Sequence, residues 1–249
     1  MRNLKLLLAY DGSELQGWQI QPGHPTVQGI LAAAIGRLTG ENVLPQGSGR
    51  TDAGVHAAAQ AATFSTSSPI PTANFLKALN DLLPPTIRVL AVSEAPPEFH
   101  VRRSARAKTY RYRILRDPIC SPFLARYVWH YPFPLEEDAM RSAASVVVGK
   151  HDFTSFAASD PEKGKGEEVS NFREIFFSTW ERHGDELIYT VRGSGFLHHM
   201  VRNLVGTFIL VGKGTLKADD VERIVTAKDR SQAGATAPAS GLCLMSVEY

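Results

Sequence analysis

A chain of 249 residues can bury roughly 70–75% of its unfolded surface, enough for one large domain or two smaller ones. Its formal charge of +2, from 27 basic and 25 acidic side chains, singles out no partner. Two cysteines, Cys120 and Cys243, exclude a disulfide framework and a tetrahedral thiolate zinc site.

The apolar run at residues 4–10 is interrupted by Lys5 and is too short for a signal-peptide core. The longest uncharged apolar stretch, residues 203–212, is about half of a membrane span, so a soluble, cytoplasmic protein is expected. Residues 4–10 end at Asp11-Gly12 and predict a buried strand and a turn. Residues 26–38 place Val27, Ile30, Leu31, Ala34, Ile35 and Leu38 at helical spacing, with Thr26 as N-cap. Short strands are predicted at 42–46 and 60–65, on either side of a glycine-rich loop. A helix follows over 72–83, stopped by Pro84-Pro85, and then a strand over 87–93.

The second half repeats the plan. Residues 109–115 alternate Tyr110, Tyr112 and Ile114 with Arg111 and Arg113, a half-buried strand. A helix is predicted over 135–148, strands over 174–180 and 187–192, helices over 196–211 and 217–227, and a closing strand over 241–248. The charged segment DPEKGKGEEVS, residues 160–170, reads as a mobile loop. Each half runs approximately β-α-β-β-α-β, an α+β order that resembles the ferredoxin-like unit. The expected division is 1–104 and 105–249, with mainly antiparallel sheets set side by side around a cleft.

Chemistry has few candidates. The loop GSGRTDAGVHA, residues 47–57, lacks the lysine of a Walker phosphate cradle and carries Asp52 where the dinucleotide fingerprint wants a third glycine. On composition it is either an Asp in a turn with Arg50 as surface partner, or a reactive acid held on a pliant backbone. Asp11 could pair with Asp52 as in a glycosidase, although Asp-Gly after a strand is ordinarily a turn. His56, His100, His198 and His199 match no zinc spacing, so no metal is expected. Residues 99–116 contain no acid; their seven arginines and lysines, interleaved with Phe99, Tyr110 and Tyr112, suit nucleic acid. Arg202, in FLHHMVRN, lies on a helix whose other face is apolar, either solvated or reaching a carboxylate.

Seven blocks, in order, resemble the tRNA pseudouridine synthase A family: YDGSELQGWQIQPGHPTVQ, GSGRTDAGVHAAAQ, NDLLPPTIRV, FHVRRSARAKTYRYRI, HDFTSF, GSGFLHHMVRNLVGTFILVGKG and APASGLCLMSVEY. The resemblance implies two RNA-recognition-like subdomains around one catalytic cleft, the pseudouridine synthase fold, in a homodimer without cofactor or metal. It implies conversion of uridines 38, 39 and 40 of the tRNA anticodon arm to pseudouridine. Asp52 falls on the family's catalytic carboxylate and Arg50 on the group that holds the target nucleotide out of its stack. Tyr110 falls against the target base, Arg202 on the ion-pair partner of the aspartate, and Leu242 on an apolar wall of the uracil pocket. Phe99, His100, Val101, Arg102 and Arg103 fall on the base-flipping strip, which departs from the common pattern at Val101 and Arg103. The rival classes are an inactive RNA-binding protein and a nucleoside or glycoside hydrolase.

Overall fold

The computed structural model describes residues 1–158 and 170–249; the loop predicted at 160–170 lies, apart from Ser170, outside the described residues. The first elements are β1 (Arg2–Tyr10), α1 (Val27–Thr39), β2 (Gln46–Gly47), β3 (His56–Thr66), α2 (Thr72–Leu82) and β4 (Ile87–Ala95). Next come β5 (Ala107–Leu115), β6 (Trp129–His130), α3 (Glu137–Val146), β7 (Gly149–Asp152), β8 (Phe172–His183) and β9 (Glu186–Gly193). The chain ends with α4 (Met200–Gly212), α5 (Asp220–Ala227) and β10 (Leu242–Glu248). Mixed α+β architecture with mostly antiparallel pairing results, in two compact units.

The first unit comprises Met1–Arg106 and Cys243–Tyr249. β1 pairs antiparallel with both β3 and β4, and β10 pairs with β3 in parallel, Cys243 opposite His56. That ladder is why residues 243–249 join the first unit, although the sequence division left them in the second. Strict alternation buries Leu4, Leu6, Leu8 and Tyr10 on one face of β1. Val27, Leu31, Ala34 and Ile35 of α1, and Phe75 and Leu79 of α2, are buried too. Thr26 caps α1 as predicted, its Oγ1 accepting from Gly29 N–H at 3.2 Å. The strand predicted over 42–46 shrinks to β2, because the Pro45 carbonyl accepts from the Gln28 side chain of α1 instead of a ladder. β3 starts four residues earlier than expected, through small alanines that carry no apolar alternation.

The second unit is Ala107–Leu242, with its sheet ordered β5-β9-β8-β7, all antiparallel, and β6 parallel to β5. Tyr112 of β5 sits opposite Tyr189 of β9, and Trp180, Tyr189 and Phe208 form an aromatic core with centroids 5.0–6.3 Å apart. The polar stretch 181–186 is mostly strand: only Gly184 and Asp185 remain as the hairpin turn between β8 and β9. The helix expected from residue 196 begins at Met200, because His199 adopts the left-handed conformation with φ 59° and stops the helix from extending upstream. Among the described residues no helix is long and apolar enough to cross a membrane.

Candidate active site

Asp52 lies on the irregular segment between β2 and β3, half-buried, two residues after the exposed Arg50. Its neighbours hold the backbone from beneath. The carbonyl of the buried Thr51 accepts from Trp18 N–H at 3.0 Å, and the Thr51 hydroxyl lies 2.8 Å from that of Tyr10. Burial pushes the Tyr10 hydroxyl up to about 12, with hydrogen bonds from Thr51 and Gln60 acting the other way. Gly54 N–H donates to the Leu15 carbonyl at 3.1 Å. The Asp52 carbonyl accepts from Val55 N–H at 3.1 Å, closing a turn whose third residue, Gly54, has the φ of 78° that a type II turn requires. Upstream, Gln60 Nε2 donates to the Gly49 carbonyl at 2.9 Å while its Oε1 accepts from Ser48 Oγ at 2.8 Å. Gly17, at φ 81°, brings a second strip of backbone against this loop; a Cβ there would stand 2.5 Å from the Thr51 oxygen.

Tyr10, Gly17, Trp18 and Gln60 are therefore part of the site's floor, and sequence reasoning did not single them out. Only Tyr10 had a usable signal: alternation along β1 puts it on the core face immediately before YDG. Asp11 does what an Asp-Gly turn predicts, its Oδ1 accepting from Ser13 N–H at 2.9 Å and Ser13 Oγ at 2.6 Å. His56 Nδ1 accepts from Gly12 N–H at 3.0 Å, a structural use of that nitrogen.

The strip 99–103 follows β4 in the same unit. Val101 is 1% exposed, while Arg102 and Arg103 point to solvent. His100 organises the turn between them: its Nδ1 accepts from the backbone N–H groups of both arginines at 3.2 Å. Its own N–H donates to Ser104 Oγ at 3.2 Å, and its carbonyl accepts from Ser104 N–H at 2.8 Å. Phe99 is half-buried.

The second unit carries Tyr110, Arg202 and Leu242. Tyr110 is 8% exposed on β5, and its ring meets that of Phe196 edge-on, centroids 5.1 Å apart. Arg202 is half-buried on α4; its Nε donates to the Ala237 carbonyl at 2.8 Å, and Ala237 N–H returns a bond to the Arg202 carbonyl at 3.2 Å. Asn203, fully buried beside it, donates to the Phe156 carbonyl and accepts from Thr236 Oγ1 and Arg230 Nη2. Residues 230–237 are thus laid along α4, and Gly206 leaves the space for the Ala235 carbonyl to approach. The adjoining segment crosses Tyr112, whose hydroxyl donates to the Pro238 carbonyl at 2.7 Å, and continues to Leu242, 5% exposed. Burial drives the Tyr112 hydroxyl far above its ordinary pKa, against the opposing pull of Arg202. His198 and His199 stack at 4.0 Å just ahead of α4.

An acid on a braced loop, with an exposed arginine turn in the same unit, suits an enzyme that acts on nucleic acid. A family model described as tRNA pseudouridine synthase matches residues 7–102 and 143–249. The chain is 51% identical over 249 residues to a tRNA pseudouridine synthase A of Solibacter usitatus and 44% identical to that of Brevibacillus brevis, with all of both chains covered. It is 45% identical to that of Moorella thermoacetica, over 99% of each chain. The chain belongs to the tRNA pseudouridine synthase family and is an isomerase. Asp52, Arg50, residues 99–102, Arg202 and Leu242 fall within the matched regions; Arg103 and Tyr110 lie outside them.

Proposed function

We propose that the enzyme isomerises uridines 38, 39 and 40 of the tRNA anticodon arm, with Asp52 as its catalytic carboxylate. The observation that carries this reading is the GRTDAG acid on a loop braced by Tyr10, Trp18 and Gly54. The reaction breaks the N1–C1′ bond, turns the uracil while it stays bound, and rejoins it through C5, which gives up its proton while N1 takes one. No electrons are gained or lost, so the chemistry calls for no redox cofactor. It does require an ionised carboxylate at the sugar, either to attack C1′ or to remove the 2′ proton and give a glycal. A fixed backbone supplies that carboxylate without reorganisation.

The remaining roles follow the motif resemblance. Arg50 holds the target nucleotide out of its stack, Tyr110 lies against the base, Leu242 walls the uracil, and Arg202 is the ion-pair partner of Asp52. Phe99, His100, Val101, Arg102 and Arg103 displace the base. The exposure of Arg102 and Arg103 over a buried Val101 supports this use. Extruding a base costs a few kcal/mol, and stacking on an aromatic returns roughly 1–3 kcal/mol.

Both units are ferredoxin-like subdomains in this reading, the first carrying the catalytic loop and the second completing the substrate contacts. The first unit's run β4-β1-β3, with β2 and β10 both pairing β3, supports it, as does the β5-β9-β8 run of the second. The enzyme works as a cytoplasmic homodimer. The decisive experiment is pseudouridine mapping in tRNA incubated with wild type and with Asp52→Asn. The variant is expected to bind tRNA and form no pseudouridine. Normal turnover by the variant, or release of free uracil by wild type, would overturn the reading. Modification elsewhere in tRNA would overturn the positions.

A further inference from the structure

We infer that His56 is a positioning residue for the Asp52 loop and acts through the lone pair of its Nδ1; the inference rests on the catalytic role given above to Asp52. His56 is buried at the first position of β3, where the loop re-enters the sheet. Cys243 of β10 lies opposite it in the parallel ladder, and its ring reaches the Asp11–Ser13 turn. That turn runs backbone to backbone against the loop: a Cβ on Gly12 would stand 2.1 Å from the Val55 oxygen. It is itself fixed by Asp11 N–H, which donates to the Thr86 carbonyl at 2.9 Å just ahead of β4.

Two groups approach Nδ1, the Gly12 N–H at 3.0 Å and the Asp11 Oδ1 at 3.3 Å. They demand opposite protonation states. A backbone N–H can only donate, so the shorter contact makes Nδ1 an acceptor and places the ring proton on Nε2. Asp11 Oδ1 is already supplied by the Ser13 N–H and hydroxyl. The neutral ring therefore joins the end of the loop to a fixed turn of another segment. On the same loop Gly54 N–H donates to the Leu15 carbonyl, and the Thr51 carbonyl accepts from Trp18 N–H. Asp52 sits between these ties. An acid that must meet one sugar atom needs its backbone held on both sides, and His56 supplies the downstream hold.

The test sets His56→Asn against His56→Gln. Asparagine carries an amide oxygen at the Nδ1 position and can accept from Gly12, whereas glutamine places its amide where Nε2 was. Rates are compared at a temperature where melting curves show both variants folded. Single-turnover pseudouridine formation at saturating tRNA should stay within about twofold of wild type for asparagine. For glutamine it should fall by about three- to tenfold, the value of one hydrogen bond. The tRNA Kd should stay within about twofold in both. Equal rates for the two variants, a glutamine variant as fast as wild type, or a loss carried wholly by tRNA binding would overturn the inference. In wild type, heteronuclear NMR of the histidine rings should show His56 protonated at Nε2 and bare at Nδ1. A proton on Nδ1 would overturn the inference whether or not the variants fold. Asp52→Asn runs alongside. Its turnover would remove the catalytic reading and this inference together, whereas an inactive Asp52→Asn beside a wild-type rate for His56→Gln removes the inference alone.

Discussion

Replacing Gly17 by alanine tests whether the Asp52 loop is held by the close approach of two backbones. Gly17 is buried, its φ is 81°, and a Cβ would sit 2.5 Å from the Thr51 oxygen, 3.0 Å from the Asp52 carbonyl carbon and 3.1 Å from Ala53 N. Nothing on the Gly17 side can yield freely. Its carbonyl accepts from Val27 N–H at the start of α1, and the next residue donates to Thr51. The left-handed φ costs alanine about 1–2 kcal/mol, and the overlap about 1–3 kcal/mol more. A loss of about 2–5 kcal/mol lowers the melting temperature of a chain this size by roughly 5–15 °C. The Thr51 carbonyl must retreat by about 0.5 Å or more and takes Asp52 with it; displacements near 1 Å cost about a hundredfold in rate. At temperatures where the variant is folded, single-turnover pseudouridine formation should therefore fall by about tenfold or more. Gly23→Ala is the control: its φ is 76°, but a Cβ there meets nothing within 4 Å. It should lose about 1 kcal/mol and no activity. Equal effects of the two substitutions, or wild-type melting and turnover for Gly17→Ala, would refute the idea that this contact sets the loop.

Asn203→Ala should destabilise the protein by about 2–4 kcal/mol in denaturant melts, because a buried amide that bonds Phe156, Thr236 and Arg230 leaves those groups unpaired. A loss below about 1 kcal/mol would show that the 230–237 segment does not depend on it. Asp152 is held below the usual carboxylate range chiefly by the Thr154 hydroxyl, with Lys228 Nζ 3.1 Å away. The unfolded chain binds the extra proton in that window, so stability rises with pH there. The contribution is complete above the unfolded pKa of about 3.9 and is lost as pH falls through the lower folded value. Asp152→Asn should accordingly flatten the stability slope below about pH 4, measured by urea melts at stepped pH; an unchanged slope would count against it.

Elements with a strong period and a chemical stop were legible from sequence. α1 had its apolar stripe and Thr26; α2 had Pro84-Pro85 beyond its end. Where the reading failed, periodicity carried no information about the backbone. Phe196, Leu197 and Met200 continue a helical pattern, yet His199 is left-handed and α4 cannot begin before it. The two-residue β6 and four-residue β7 are too short to show a period at all. β10 was correctly a strand, but its neighbour was not readable: parallel pairing to β3 joins residues about 190 positions apart, and no local pattern encodes that.

The same limit explains why GSGRTDAGVHA reads from composition as an ordinary turn. At Gly47 the Trp18 indole occupies the space a side chain would fill, and Gly12 and Gly17 let residues 12–18 approach the loop's backbone, so the partners lie some 35–40 positions earlier. A packing argument sees only the missing bulk. Arg202 presents the mirror case, since its helical stripe was visible while the Ala237 carbonyl that fixes its Nε lies in a segment without any period. Ordered resemblance over the whole chain succeeds here because each block brings its distant partner with it: YDGSELQGW carries the floor that GRTDAG needs. Glycine at 17 and aspartate at 52 are therefore one structural statement, and the paired Gly17 and Gly23 substitutions separate it from the intrinsic strain of a left-handed residue.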